Sequence, residues 1–257
     1  MTILEIKNLG INFGGIVALE SLNLSLDKGK IMGLIGPNGS GKTTFFNLIS
    51  GIYCPTKGKV FFNNDDITGL SPNEINRKGI ARTFQNTRLF WNLSTLDNVI
   101  LGMHRLENFN CFISMFGQNY VKKRLKENIE ESIDLLGYFS KDLINQLYRK
   151  VKDLSQADKK RVEICRALAS KPKLLLLDEP SAGMNAEETS ILMSDIDKIK
   201  KRDPELSVII IEHDMNVIKQ NTQHIIVLNY GKNIFEGPFR EAANNKEVIM
   251  AYLGGEI

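Results

Sequence analysis

The segment that most constrains the fold of this chain is a glycine-rich loop, Gly36-Pro37-Asn38-Gly39-Ser40-Gly41-Lys42-Thr43. This phosphate loop fits the pattern G-x-x-x-x-G-K-[ST], in which backbone N–H groups close around phosphate oxygens. Residues 30–36 are nearly all apolar, as a strand buried on both faces should be. A helical stretch follows through Ile49, and Gly51 stands where a helix ends. Strand, loop and helix in this order predict a phosphate site at a helix N-terminus within an α/β fold.

An acidic motif further along the chain supplies the second half of a nucleotide site. The apolar run Leu174–Leu177 ends in Asp178 and Glu179, at the edge where open α/β sheets bind ligands. Alone, such a run often marks only a strand that meets a turn, but here the phosphate loop lies upstream. We expect Lys42 to contact the β- and γ-phosphates of a nucleotide, and Thr43 and Asp178 to hold Mg²⁺, Asp178 through water. Glu179 is then the general base that polarises the attacking water.

The alternation of strand and helix patterns in the remaining chain indicates the topology of the sheet. Buried-strand patterns recur at residues 174–177, 208–211 and 225–228, with helical stretches between them. This alternation predicts a mostly parallel sheet with helices on both faces. Residues 3–7 and 22–26 instead alternate between apolar and polar, which is typical of half-exposed antiparallel strands.

A single domain covering residues 1–257, with an inserted helical lobe, accounts for these patterns. Within residues 120–139, apolar side chains recur at helical spacing with Lys and Glu between them. We therefore predict a helical insertion at about residues 86–165. The α/β core with its antiparallel sheet then comprises residues 1–85 and 166–257.

Composition excludes several classes of protein. The formal net charge of +3 argues against a nucleic-acid binder that neutralises many phosphates. No apolar run approaches the roughly 18 residues that a membrane-spanning helix needs, and the N-terminus lacks an apolar signal core. The uncharged apolar stretch at residues 109–116 either packs beneath the helical lobe or forms an exposed patch. Cys54, Cys111 and Cys165 have neither metal nor disulfide spacing, so we expect reduced thiols.

Four further elements make the chain resemble the ATPases of ATP-binding-cassette (ABC) transporters. In chain order they are Gln85, the signature loop at residues 154–158, the segment Ser181–Asn185, and His213 after an apolar strand. The resemblance implies that Gln85 touches Mg²⁺ and the attacking water, and that His213 contacts the γ-phosphate of ATP. It also implies that Phe13 stacks on adenine. Taken singly, each residue has a structural alternative: a solvated Gln, a structural His or a core Phe.

The signature loop departs from the family pattern Leu-Ser-Gly-Gly-Gln, because it reads Leu154-Ser155-Gln156-Ala157-Asp158. In a nucleotide-sandwiched dimer this loop covers the ATP held by the other subunit's phosphate loop. In this chain, Thr44 adjoins the phosphate loop and is expected to bind the nucleotide with it. Ser155 is kept as a phosphate contact. Gln156 and Ala157 impede the close backbone approach that glycine permits, and Asp158 brings a negative charge toward phosphate. Ser155 and Asp158 also match a capping box, so a plain helix N-cap in a tolerant loop is the alternative.

Within the family, the chain is most similar to the ATP-binding subunits of branched-chain amino acid importers. The similarity rests on the segments Ala81–Asn86, Leu89–Phe90, Ala182–Asn185, Ile211–Met215 and Ala251–Gly254. Urea or amide importers and lipopolysaccharide exporters share much of this pattern and remain alternatives. Soluble ABC ATPases that act on ribosomes or DNA carry two cassettes or a long coiled coil, and this chain has neither.

The resemblance also implies partners and a location. ATP and Mg²⁺ are the expected cofactors. The expected partners are a second, different ATPase subunit, two transmembrane permease subunits and, indirectly, a solute-binding protein, with no nucleic acid. The expected location is peripheral, at the cytoplasmic face of the inner or plasma membrane.

Overall fold

The computed structural model describes residues 1–106 and 118–253. The apolar stretch at residues 109–116, which contains Cys111, lies outside the described residues, as does Gly254. Cys54 and Cys165 are both free thiols, as expected.

Two sheets form the framework of the protein. The strands, in chain order, are β1 (Thr2–Phe13), β2 (Ile16–Asp27), β3 (Ile31–Ile35), β4 (Lys57–Phe62), β5 (Asp65–Asp66), β6 (Ile80–Arg82), β7 (Leu174–Asp178), β8 (Ser207–Ile211), β9 (His224–Asn229) and β10 (Lys232–Gly237). The first sheet has the order β2-β1-β4-β5 and is antiparallel. The second has the order β10-β9-β3-β8-β7-β6 and is parallel except for β10 at its edge. The predicted mostly parallel core sheet and N-terminal antiparallel sheet are both confirmed.

The central strands are buried on both faces, as their continuous apolar runs predict. Every residue of β3, β7 and β8 is buried. In β7, Leu175 and Leu177 pack in one hydrophobic cluster, whereas Leu174 and Leu176 pack in another with Phe45. Full burial of each such side chain stabilises the fold by about 1.5–3 kcal/mol. The buried strands therefore fix the positions at which the loops after them begin.

Helices cover both faces of the core sheet and fill the described part of the chain between β6 and β7. The α-helices of the described residues are α1 (Lys42–Ile49), α2 (Pro72–Lys78), α3 (Thr95–Gly102), α4 (Gln118–Phe139), α5 (Lys141–Asn145), α6 (Gln156–Ala169), α7 (Ala186–Arg202), α8 (Met215–Asn221), α9 (Phe239–Ala242) and α10 (Lys246–Leu253). Short 3₁₀ turns occur at Met103–Leu106 and Val151–Asp153. In the part of the chain that the structure describes, no helix has the length and apolarity to cross a membrane.

Local signals in the sequence set several helix ends. Helix α1 is followed by Gly51, whose φ of +74° is the left-handed conformation that glycine adopts without steric cost. Helix α2 begins with a complete capping box between Ser71 and Glu74 and ends at Gly79. The predicted end of the first helix before Gly51 and the predicted helix over residues 120–139 are both confirmed.

Candidate nucleotide-binding site

Four loops meet at the carboxyl edge of the parallel sheet. Strands β3, β8, β7 and β6 are neighbours, so their carboxyl ends lie side by side. The phosphate loop follows β3, Gln85 follows β6, Glu179 follows β7 and His213 follows β8. They border a cleft of about 610 Å³, lined by Ile16, Val17, Ala18, Asn38, Gly39, Ser40, Gly41, Lys42, Thr43, Thr44, Gln85, Glu179, His213 and Tyr230. Residues of four predicted motifs are thus brought together.

The phosphate loop needs glycine at its ends. Gly36 has a φ of +151°, and a Cβ there would lie 2.1 Å from the carbonyl oxygen of Leu228. Gly41 has a φ of +104° and directly precedes α1. The Nζ of Lys42 donates hydrogen bonds to the carbonyl oxygens of Gly36, at 2.8 Å, and Pro37, at 2.9 Å. Burial lowers the pKa of Lys42, while the negative charges of Glu179 and Asp178 oppose that shift.

The carboxylate of Glu179 joins three separate parts of the chain. Its Oε2 accepts a hydrogen bond from Gln85 Nε2 at 2.8 Å, and its Oε1 lies 2.7 Å from His213 Nε2. The backbone N–H of Glu179 donates to the carbonyl oxygen of Ile211 at 3.0 Å. Glu179 has a φ of +46°, which is uncommon for a residue other than glycine. Strain of this kind occurs where the surroundings fix a side chain for function.

Asp178 is held by a side chain, that of Arg82, to which the sequence motifs give no role. Arg82 donates to Asp178 Oδ2 at 2.7 Å, and both side chains are almost fully buried. The same guanidinium donates to Asn47 Oδ1 at 2.7 Å and to Ser50 Oγ at 3.0 Å. Burial lowers the pKa of Arg82, and the hydrogen bond that Arg82 donates to Asp178 opposes the shift. A charged residue on a short strand is the only sequence signal for this contact, because Asp178 lies 96 positions away.

The oxygen atoms present fit a magnesium ion. Among the described residues, the buried Oδ1 of Asp178 and the buried Oγ of Ser40 have no hydrogen-bond partner. A buried oxygen without a partner is costly, and a cation or its water would satisfy it. Thr43 lines the cleft with its side chain exposed. Carboxylate and hydroxyl oxygens are ligands that Mg²⁺ prefers.

The signature loop forms only half of the predicted capping box. Ser155 Oγ accepts from the backbone N–H of Asp158 at 3.1 Å, which caps α6. The Asp158 carboxylate turns instead to Arg161, at 3.1 Å, so the reciprocal bond is absent here. Ala157 is buried, whereas Gln156 is exposed. The expectation of a full capping box was wrong, because an arginine one turn along competes for the carboxylate.

Two of the predicted nucleotide contacts do not line this cleft. Neither Phe13 nor Ser155 is among the residues that line it. The Phe13 ring is 44% exposed and meets the ring of Tyr53 edge-on, with centroids 5.1 Å apart. An adenine contact by Phe13 and a phosphate contact by Ser155 therefore stay predictions.

The cleft also contains residues that the motifs did not indicate. Ile16, Val17 and Tyr230 form an exposed apolar rim at the mouth of the cleft. Tyr230 has a φ of +44°, in a turn before Gly231, a position that usually favours Asn, Asp or Gly. Its unsuitability for that turn is the signal by which the sequence could have identified it.

Comparison with known proteins decides the family. The family model described as ABC transporter matches residues 19–182, which include the phosphate loop, Gln85, the signature loop and Glu179. The chain belongs to the ABC transporter family. This ABC chain is an ATPase of that family, as its phosphate loop and the Asp178-Glu179 pair predict.

Relatives and solved structures match nearly the whole ABC chain. It is 36% identical to the high-affinity branched-chain amino acid transport ATP-binding protein BraF of Pseudomonas aeruginosa, over 98% of each chain. It is 33% identical to the protein LivG of the same description from Escherichia coli, again over 98% of each. The structure of the ADP conformation of MJ1267, an ATP-binding cassette of an ABC transporter, is similar with a TM-score of 0.85 and 31% identity. That match covers 99% of this chain and 100% of the other.

Proposed function

We propose that this ABC ATPase powers the import of branched-chain amino acids across a membrane. The contact of Gln85 and His213 with the single carboxylate of Glu179 carries the proposal of hydrolysis. A side chain held on both oxygens is oriented to accept a proton from water. The full-length similarity to BraF and LivG supports the choice of solute.

Residues of the cleft, together with Phe13 and Ser155 outside it, would supply the groups that bind ATP. Residues 36–44, with Thr44 at the end, would surround the β- and γ-phosphates with N–H groups, and Lys42 would neutralise their charge. Phe13 would stack on adenine, and Ser155 would contact the ATP that a partner subunit holds. His213 would contact the γ-phosphate.

Magnesium has a matching set of oxygen ligands. Thr43, Gln85 and Asp178 would hold the ion, Asp178 through a bound water that would donate a hydrogen bond to its unpartnered Oδ1. When bound, the ion neutralises charge on the phosphates. Arg82 keeps the Asp178 carboxylate in one orientation by holding its other oxygen. Glu179 would polarise the water that attacks the γ-phosphate, a contribution of about 10²–10⁴-fold.

A transporter assembly completes the proposal. The chain would lie at the cytoplasmic face of the membrane and pair with a second, different ATPase subunit. Two transmembrane permease subunits would bind the pair, and a solute-binding protein would deliver the amino acid. Residues 1–85 and 166–257 would act as the core, and residues 86–165 as the lobe that transmits closure.

Uptake by living cells tests this proposal. A strain that lacks the chain should lose most of its uptake of radiolabelled leucine, and the wild-type chain should restore it. Lys42→Ala should not restore uptake, because the phosphates lose their charged partner. Lys126→Ala, at an exposed position on α4, should restore it fully. Unchanged leucine uptake with altered urea uptake or lipopolysaccharide export would assign the ATPase to one of those systems instead.

A further inference from the structure

The residue just before His213 is a buried carboxylate to which neither the motifs nor the proposed chemistry gives a role. Glu212 is 4% exposed and directly follows β8. Its Oε1 accepts from the backbone N–H of Ser181 at 2.8 Å and from the Ser181 hydroxyl at 2.7 Å. Its Oε2 accepts from the backbone N–H of His213 at 3.2 Å. A buried charge is stable only with such partners.

These bonds close a ring around the general base. Ser181 stands two residues after Glu179, and Glu212 connects it to the backbone of His213. The His213 ring returns to the Glu179 carboxylate at 2.7 Å. The turn after Glu179 is closed by a bond from the N–H of Ala182 to the carbonyl oxygen of Glu179 at 3.2 Å. Ser181 and His213, the two neighbours of Glu179 in this ring, are therefore both held by the buried carboxylate of Glu212.

We propose that Glu212 is a positioning residue, which holds the backbone of Glu179 in its positive-φ conformation and keeps His213 within reach of the Glu179 carboxylate. The inference rests on the proposed role of Glu179 in hydrolysis. Glu212 acts through Ser181 and His213, and it does not line the cleft that would hold ATP. It should therefore govern kcat rather than the affinity for ATP.

The negative charge of Glu212 is required, because three donors converge on its two oxygens. Glutamine has the same shape but only one oxygen. Its amide N–H₂ must face either Ser181 or the N–H of His213, so a donor then meets a donor. Glu212→Gln should thus loosen one side of the ring without a change of volume.

Steady-state hydrolysis by the transporter complex, purified through a tag on this chain, tests the inference. Glu212→Gln should lower kcat by about tenfold or more, with KM for ATP within about twofold of wild type. The matched control is Asp195→Asn, which changes another buried carboxylate, one on α7 that pairs with Arg161 and Lys198. Asp195→Asn should lower the thermal midpoint but leave kcat within about twofold.

A milder variant keeps the test decisive if Glu212→Gln folds poorly. Ser181→Ala removes one of the three donors and should lower kcat by about threefold or more. In the double variant, Ser181→Ala should add little to the loss from Glu212→Gln, because both break the same ring.

Distinct outcomes separate this inference from the proposed function. An unchanged kcat in Glu212→Gln and Ser181→Ala, an effect confined to KM, or an equal kcat loss in Asp195→Asn would each overturn the positioning role. Loss of the proposed function would appear differently, as a wild-type complex without ATP hydrolysis or a fully active Glu179→Gln variant.

Discussion

At the scale of single residues, the site depends on contacts between amino acids far apart in the chain. The meeting of Lys42, Gln85, Glu179 and His213 at one cleft was predictable, because each has a fixed place beside a strand or in a motif. The contact between Arg82 and Asp178 was not, because no local pattern specifies a partner 96 residues away. A buried carboxylate must have partners, but the sequence does not say which ones.

The proposed role of Glu179 as general base leads to a prediction at this scale. Glu179→Gln keeps the shape of the side chain but removes the proton acceptor, so ATP binding should persist. The kcat for hydrolysis should fall by about 100-fold or more. Equilibrium binding of ATP and steady-state phosphate release measure the two quantities separately.

The matched control is Glu187→Gln, on the exposed first turn of α7. It makes the same chemical change outside the cleft and should leave both quantities unchanged. Near-normal hydrolysis by Glu179→Gln would show that the base is another residue.

At the scale of elements, Arg82 links three pieces of secondary structure. It stands at the end of β6 and holds Asp178 at the end of β7, together with Asn47 of α1 and Ser50 at the end of that helix. Its guanidinium also lies over the ring of Phe46, 5.3 Å from the centroid. The elements themselves were predictable from apolar periodicity and capping residues, whereas this connection depends on how they pack.

Loss of that link should be costly. Arg82→Met fills much of the same volume but leaves the buried Asp178 charge without its partner. We expect the free energy of unfolding to fall by about 3–5 kcal/mol. Urea denaturation, with ΔG extrapolated to water, measures the change.

A surface ion pair provides the comparison. Lys126→Met removes the exposed pair of Lys126 with Glu130 on α4. It should change stability by less than about 1 kcal/mol. Similar small losses in both variants would mean that the buried pair contributes little to the fold.

At the scale of the whole molecule, the altered signature loop bears on the assembly. If the chain paired with itself, both ATP sites would face the sequence Leu154–Asp158, with an exposed Gln156 in place of glycine. The N–H of Asp158 is already taken by Ser155 Oγ. Pairing with a different cassette would place this chain's phosphate loop and Glu179 under an unaltered loop. We therefore expect a heterodimer with two unequal sites.

Activity of separate and mixed subunits tests that expectation. The purified chain alone should hydrolyse ATP slowly, and Glu179→Gln here should cost the complex more than the matching change in the partner. The triple change Gln156→Gly, Ala157→Gly and Asp158→Gln should speed hydrolysis at the partner's site. A gain equivalent to about 3–4 kcal/mol is the upper scale, since that is the effect of one transition-state donor. A fast homodimer that does not respond to the triple change would contradict unequal sites.

The positive φ of Glu179 implies a conflict between the proposed catalytic function of this residue and the thermal stability of the fold. Glycine adopts such a backbone at no steric cost, whereas glutamate pays about 1–3 kcal/mol. A library of variants selected only for thermal stability would therefore tend to accumulate Glu179→Gly. Such variants would lack the proposed general base. The glutamate would be retained only if the selection also required transport activity. Efforts to make this cassette more heat-resistant should leave position 179 fixed and seek their gains elsewhere.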